Sequence, residues 1–183
     1  MQRQITKGNW DVTALLGYDE LTKTTYYESA EESPMRRAVY KIDAKGVKTK
    51  LSTKEGTNHA DFSANSPIMS IVSRMSIHRC RSQSTKPRRI GYCVYFRTIQ
   101  HSAKSYSPKE FMTVTTKSGY ELNAWMVKPV NFDKNKKYPV LMVQYSGPNS
   151  QQVLDQYGMD WEQYLASKGI IVVSVDGRGT GAR

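Results

Sequence analysis

The chemistry-bearing residues of this chain fall into three groups. The first is Tyr145-Ser146-Gly147-Pro148, a phenol closing the apolar run 138–145 and followed by turn formers. If that run is a buried parallel strand, the phenol stands at its carboxyl end, where open α/β sheets collect ligands. Otherwise it is a tyrosine that packs. The second group is Asp176-Gly177-Arg178-Gly179-Thr180-Gly181, after the apolar run 170–175. Its glycines could cradle a phosphate, but no Lys-Ser or Lys-Thr follows. We therefore read the group structurally: glycine allows left-handed backbone and close approach, and an Asp176–Arg178 pair can brace the loop. The third group is His59, His78, His101, Cys80 and Cys93. Two cysteines are too few for a disulfide framework and show no paired ligand spacing, so no metal site is assigned.

Each group needs an element to hold it. Residues 138–145 are almost continuously apolar, as expected of a strand covered on both faces. Residues 160–168 predict a helix, with Asp160 as N-cap and Gly169 as the stop. Trp161, Tyr164 and Leu165 form its apolar stripe at i, i+3 and i+4. Residues 170–175 predict a second buried strand. Strand, helix, strand is a right-handed parallel crossover in an open α/β sheet. Upstream, 111–116 and 121–127 flank Lys117-Ser118-Gly119-Tyr120, a hairpin signal, and 131–137 is a charged loop. Residues 1–65 read as short antiparallel strands at 10–16, 24–29, 38–42 and 47–51, with polar breaks at 19–22 and 43–46. That spacing suits a β-propeller blade, and equally any antiparallel meander.

The net charge of +11 invites a nucleic-acid reading, but its distribution weakens it. Residues 66–109 hold nine Lys or Arg and no acidic residue, while the rest nearly balances, 18 basic against 16 acidic. Within the basic stretch Ile68, Ile71, Val72, Met75 and Ile77 could line an amphipathic helix. Residues 92–96 could be a strand, and the levels of pattern do not agree. Three readings stand: a reading-frame artefact, which we favour; a disordered linker; and an insert binding nucleic acid or acidic surfaces through Tyr92, Tyr95 and Phe96. No run is long and apolar enough for a membrane helix, and residues 1–7 lack the apolar core of a signal peptide.

Residues 120–130, 136–148 (ending Gln144-Tyr145-Ser146-Gly147-Pro148) and 175–181 (Val-Asp-Gly-Arg-Gly-Thr-Gly) resemble the start of the hydrolase domain of the prolyl oligopeptidase family. Gln4-Ile5-Thr6-Lys7-Gly8-Asn9-Trp10-Asp11-Val12 narrows the resemblance to its dipeptidyl peptidase IV branch, in bacterial wording. The resemblance covers about 1–65 and 110–183. It implies all-β and α/β parts: the end of a β-propeller domain in 1–65, a basic non-matching segment in 66–109, and the start of an α/β-hydrolase domain in 110–183, both domains incomplete. It implies serine-type release of dipeptides from peptide substrates with Pro or Ala in the second position. No cofactor, metal or nucleic acid is implied. Intact relatives are often homodimers and are periplasmic, cell-surface or secreted. By resemblance Tyr145 donates its phenol O–H to the oxyanion, with Gly147, Pro148, Asp176 and Arg178 as structural residues near the site. The sequence contains no Gly-x-Ser-x-Gly, and all three histidines precede residue 138. The hydrolase order Ser, Asp, His therefore cannot be completed within it, and the chain is expected to be a fragment, inactive alone.

Overall fold

A computed structural model describes residues 4–63, 66–74, 81–86, 89–96, 107–156 and 161–182; of side chains between 63 and 106, only that of Ile71 is described. Twelve strands and one helix form among these residues: β1 (Val12–Asp19), β2 (Thr24–Ser29), β3 (Ala38–Ile42), β4 (Lys48–Lys50), β5 (Thr57–Ser63), β6 (Ser66–Arg74), β7 (Arg81–Lys86), β8 (Arg89–Phe96), β9 (Glu110–Thr115), β10 (Glu121–Val127), β11 (Val140–Val143), α1 (Trp161–Ser167) and β12 (Ile171–Val175). They divide into two compact units, β1 to β8 and β9 to β12 with α1.

The first unit is two four-stranded antiparallel sheets in succession, ordered β1-β2-β3-β4 and β5-β6-β7-β8. The turns have local causes. Asp19 accepts backbone N–H bonds from Leu21 and Thr22, and Asp43 from Lys45 and Val47. Alternation along β3 sends its side chains to two cores. Ala38, Tyr40 and Ile42 pack with Tyr27 and Trp10 on one face. Val39 packs on the other with Ala60 and Ile71, beside Leu16, Leu51 and Phe62. Successive sheets thus share apolar side chains, as layers in a stack. One sequence expectation is corrected here. Ser66–Arg74 is a strand, not a helix, because β5 and β7 offer it antiparallel partners on both edges. The pairing of His59 with Val72 and of Phe62 with Met69 also shows that Thr57–Ser63, which carries little apolar signal, opens the second sheet.

The first core has a measurable pH signature. Burial, with Glu31 adding to it, pushes the Tyr27 phenol up to about 12. Burial also raises Tyr40, helped by Glu31 and Glu32. A phenol raised in the folded state and ordinary (about 10) when unfolded contributes stability that is fully present below pH 10 and is lost as pH rises toward 12. In a longer polypeptide carrying this unit, Tyr27 should resist ionisation through that window, and melting should fall across it. Tyr27→Phe should flatten that alkaline fall; an unchanged slope, read with tyrosinate absorbance, counts against the assignment.

The second unit is one mixed sheet ordered β11-β12-β10-β9, with β11 and β12 parallel and the other pairs antiparallel. The hairpin at 117–120 closes as expected, with Thr116 N–H bonding Tyr120 O and Gly119 at φ +79°. Gly169, at φ +83°, ends α1 as expected: its N–H bonds Ala166 O, and Ile170 N–H bonds Leu165 O. Two expectations fail. β11 is not covered on both faces: it is the sheet's edge strand, and Val140, Leu141 and Met142 are exposed. α1, packing chiefly on β12 and β10, turns most of its predicted apolar stripe outward; Trp161 and Tyr164 are exposed and Leu165 is half-buried, while Glu162, Gln163 and Ala166 are buried. The reason is polar. Gln163 both donates to Ser107 O (2.8 Å) and accepts from Ser107 N–H (3.0 Å). Glu162 pairs at 2.8 Å with Lys109, which lies over the Trp125 ring. Asp160, the proposed N-cap, lies outside the described residues.

Candidate functional site

The candidate site is built by two loops that leave neighbouring parallel strands at the same end. Val143 of β11 is level with Ser174 of β12. Two residues further along each chain stand Tyr145 and Asp176. Tyr145 is 70% exposed, so its phenol O–H faces solvent at the strand end. Ser146 beyond it is at φ +38°, a left-handed backbone that is uncommon for a side chain of this kind and characteristic of places where function fixes geometry.

The turn that follows has a chemical explanation. Gly147-Pro148-Asn149-Ser150 closes with Ser150 N–H bonding Gly147 O at 3.1 Å, and Ser150 Oγ donates to the same oxygen at 2.6 Å. Pro148 occupies the second position and Asn149, at φ +56°, the third; this is the residue pattern of a type II turn. Space is tight at Gly147. A Cβ there would meet the Tyr145 ring at 3.0 Å, so the glycine lets the ring lie against the turn.

The second loop holds the first. Asp176 is buried and accepts two backbone hydrogen bonds, Gln152 N–H to Oδ1 and Val153 N–H to Oδ2, both at 2.9 Å. Trp125 Nε1–H donates to Gln152 O at 3.1 Å from the opposite side. Asn149 N–H bonds Gly179 O, and the Gly177 backbone approaches Ser146 so closely that a Cβ would stand 3.4 Å from Ser146 Oγ. Thr180 Oγ1 donates to Gly177 O and closes the second loop on itself.

The structure thus brings Tyr145, Gly147, Pro148 and Asp176 together and corrects one relation. Asp176 does not pair with Arg178. Its two oxygens are taken by backbone amides, and Arg178, exposed, stacks its guanidinium 4.4 Å from the Tyr120 ring centre. Reasoning from sequence missed Trp125, Gln152 and Val153. His59 lies elsewhere, in the first unit, with Nδ1 2.9 Å from the buried Glu28, which also accepts from Thr13. His78, His101 and Cys80 lie outside the described residues, as does the side chain of Cys93. Among the described residues no group of three or more His, Cys, Asp or Glu could hold a metal.

Stacked antiparallel sheets in one unit and a mixed sheet with one parallel strand pair in the other make a two-part, β-rich class of protein. Comparison with known proteins gives that class a family. The family model "Dipeptidyl peptidase IV (DPP IV) N-terminal region" matches residues 1–85. That match runs past Ser66, where the resemblance read from the residues stops. A probable dipeptidyl-aminopeptidase B of Podospora anserina is 33% identical over 97% of this chain and 20% of its own length. One from Sclerotinia sclerotiorum is 32% identical over 97% of this chain and 20% of its own. The crystal structure of Porphyromonas gingivalis dipeptidyl peptidase 4 superposes with a TM-score of 0.85 at 52% identity, over 100% of this chain and 27% of that one. The family-model match, the relatives and the superposition together support the dipeptidyl peptidase IV family for this chain, with residues 1–85 matching that family's N-terminal region, a β-propeller part. It spans about a fifth of the length of the curated relatives it matches.

Proposed function

We propose that this chain is part of a serine dipeptidyl peptidase that releases X-Pro or X-Ala dipeptides from the free N-termini of peptides. In this reading β1 to β8 are the last blades of the propeller, and β9 to β12 with α1 open the α/β-hydrolase sheet. Tyr145 supplies an oxyanion donor, while the nucleophile, base and orienting acid come from residues beyond those of this chain. The observation that carries the reading is the phenol at the carboxyl end of β11, held by a loop clamped to the end of β12. A neutral O–H fixed at a strand end suits an oxygen that gains negative charge during acyl transfer, and needs no proton transfer to do so. Peptide substrates and a homodimeric parent follow from the same reading, and no cofactor is required.

The test is a graft. Residues 107–182 of this chain replace the matching segment of the Porphyromonas dipeptidyl peptidase 4, and release of a chromophore from Ala-Pro and Gly-Pro substrates is followed. Retained turnover, blocked by a serine-directed phosphonate, is the expected result. A graft that folds and melts like its parent but releases nothing would overturn the reading.

A further inference from the structure

We propose that Asp176 and Trp125 are positioning residues for Tyr145, acting through the two ends of the Gln152 peptide unit; this rests on the donor reading of Tyr145. The loop 144–153 has one end fixed by pairing of β11 to β12, up to Val143. Its other end meets a second anchor at Gln152 and Val153. Asp176 and Trp125 are that anchor. The carboxylate takes the amides of Gln152 and Val153, and the indole takes the carbonyl of Gln152, so residue 152 is held from both sides. Val153 is fully buried, Asp176 is 4% exposed and Trp125 5%, so water competes little for these bonds. A carboxylate accepting two backbone N–H bonds is also a stronger clamp than a neutral acceptor.

The anchored end reaches Tyr145 through a short, stiff path. Gln152 follows the Pro148–Asn149 turn, whose φ values leave little freedom, and the turn begins at Gly147, against which the phenol ring lies. Asn149 N–H to Gly179 O ties the middle of that path to the loop Asp176 begins. Loosening position 152 therefore lets the turn tilt and carries the ring with it. Ser146, held at φ +38°, is the joint about which it would move, because that conformation persists only while its surroundings enforce it. The hydrogen bonds of Asp176 and Trp125 go to the loop backbone, and their effect is on where the phenol O–H points.

The experiment uses the graft described above. Asp176→Asn keeps size but sets an amide N–H₂ against a backbone N–H, releasing one of the two bonds. Trp125→Phe keeps an aromatic ring and removes the Nε1–H donor, together with some buried ring volume. We expect Asp176→Asn to lower kcat roughly 10- to 100-fold, the scale of a misplaced reacting group, with KM nearly unchanged. Trp125→Phe should lower it several-fold, roughly one hydrogen bond's worth. In a Tyr145→Phe background neither substitution should lower kcat further, because the group being positioned is gone. Losses that add in full to that of Tyr145→Phe, or unchanged kcat in both single variants, overturn the proposal. If Asp176→Asn fails to fold, Trp125→Phe alone and in the Tyr145→Phe background decides it. A graft in which Tyr145→Phe itself changes nothing refutes the donor reading instead, and the two failures are told apart by that one control.

Discussion

In the graft, Tyr145→Phe should lower kcat about 100- to 1000-fold, the usual cost of removing one oxyanion donor. kcat/KM should fall in step, because the phenol meets an oxygen whose charge develops only on the way to the tetrahedral intermediate. KM should hardly move. The melting temperature should not move either: Tyr145 is 70% exposed, its ring rests on Gly147, and Phe keeps that ring. The contrast with a packing tyrosine is sharp, since a packing role would spare kcat. A Phe variant that keeps near-normal kcat would make Tyr145 a surface aromatic and remove the one catalytic group assigned to this chain. A fall in kcat accompanied by a lower melting temperature would point instead to damage in the loop, which Gly147→Ala would reproduce by pressing a methyl on the same ring.

Much of the architecture could be read from local chemistry, and the failures share one cause. β1 to β4 follow from short alternating runs and from Asp19 and Asp43, whose carboxylates satisfy turn amides within a few residues. The hairpin at Gly119 and the helix stop at Gly169 follow from glycine at positive φ. Gly147-Pro148-Asn149 likewise announces its turn. What could not be read depends on distant partners. Which face α1 buries is set by Ser107 and Lys109, more than fifty residues upstream, and their hydrogen bonds and ion pair outweigh the exposure of Trp161 and Tyr164. The edge position of β11 is set by strand order, to which its apolar composition is blind. Trp125 and Gln152 meet across 27 residues with no motif to signal it. Asp176 was legible as a structural residue, but its partners were not. A neighbouring arginine is the obvious partner on paper, whereas two amides converging from another loop fit both carboxylate oxygens at once.

The 183 residues by themselves should release no dipeptide from Ala-Pro or Gly-Pro substrates, and should not melt cooperatively as a soluble monomer. The first half follows from chemistry: Tyr145 is proposed as an oxyanion donor, but the sequence holds no Gly-x-Ser-x-Gly nucleophile and no histidine after His101 to deprotonate one. An oxyanion donor without a nucleophile has no intermediate to act on. The second half follows from surfaces. Among the described residues β11 is an edge strand carrying exposed Val140, Leu141 and Met142, and α1 adds exposed Trp161 and Tyr164 to the same unit. A short apolar edge strand with free N–H and C=O groups is a template for pairing with another chain. In the first unit, β3 is buried on both faces only because a neighbouring sheet covers Val39, and sheets stacked this way lose that cover at each end of the stack. Light scattering should therefore rise with concentration on mild heating, with no sharp transition by circular dichroism. Lys in place of Met142, a charge on the exposed edge, should delay the rise without creating activity. A sharp, reversible melt of a monomeric chain would show that these faces need no further cover. Phosphonate-sensitive turnover that copurifies with the chain and survives Tyr145→Phe would show that the chemistry lies elsewhere in the sequence.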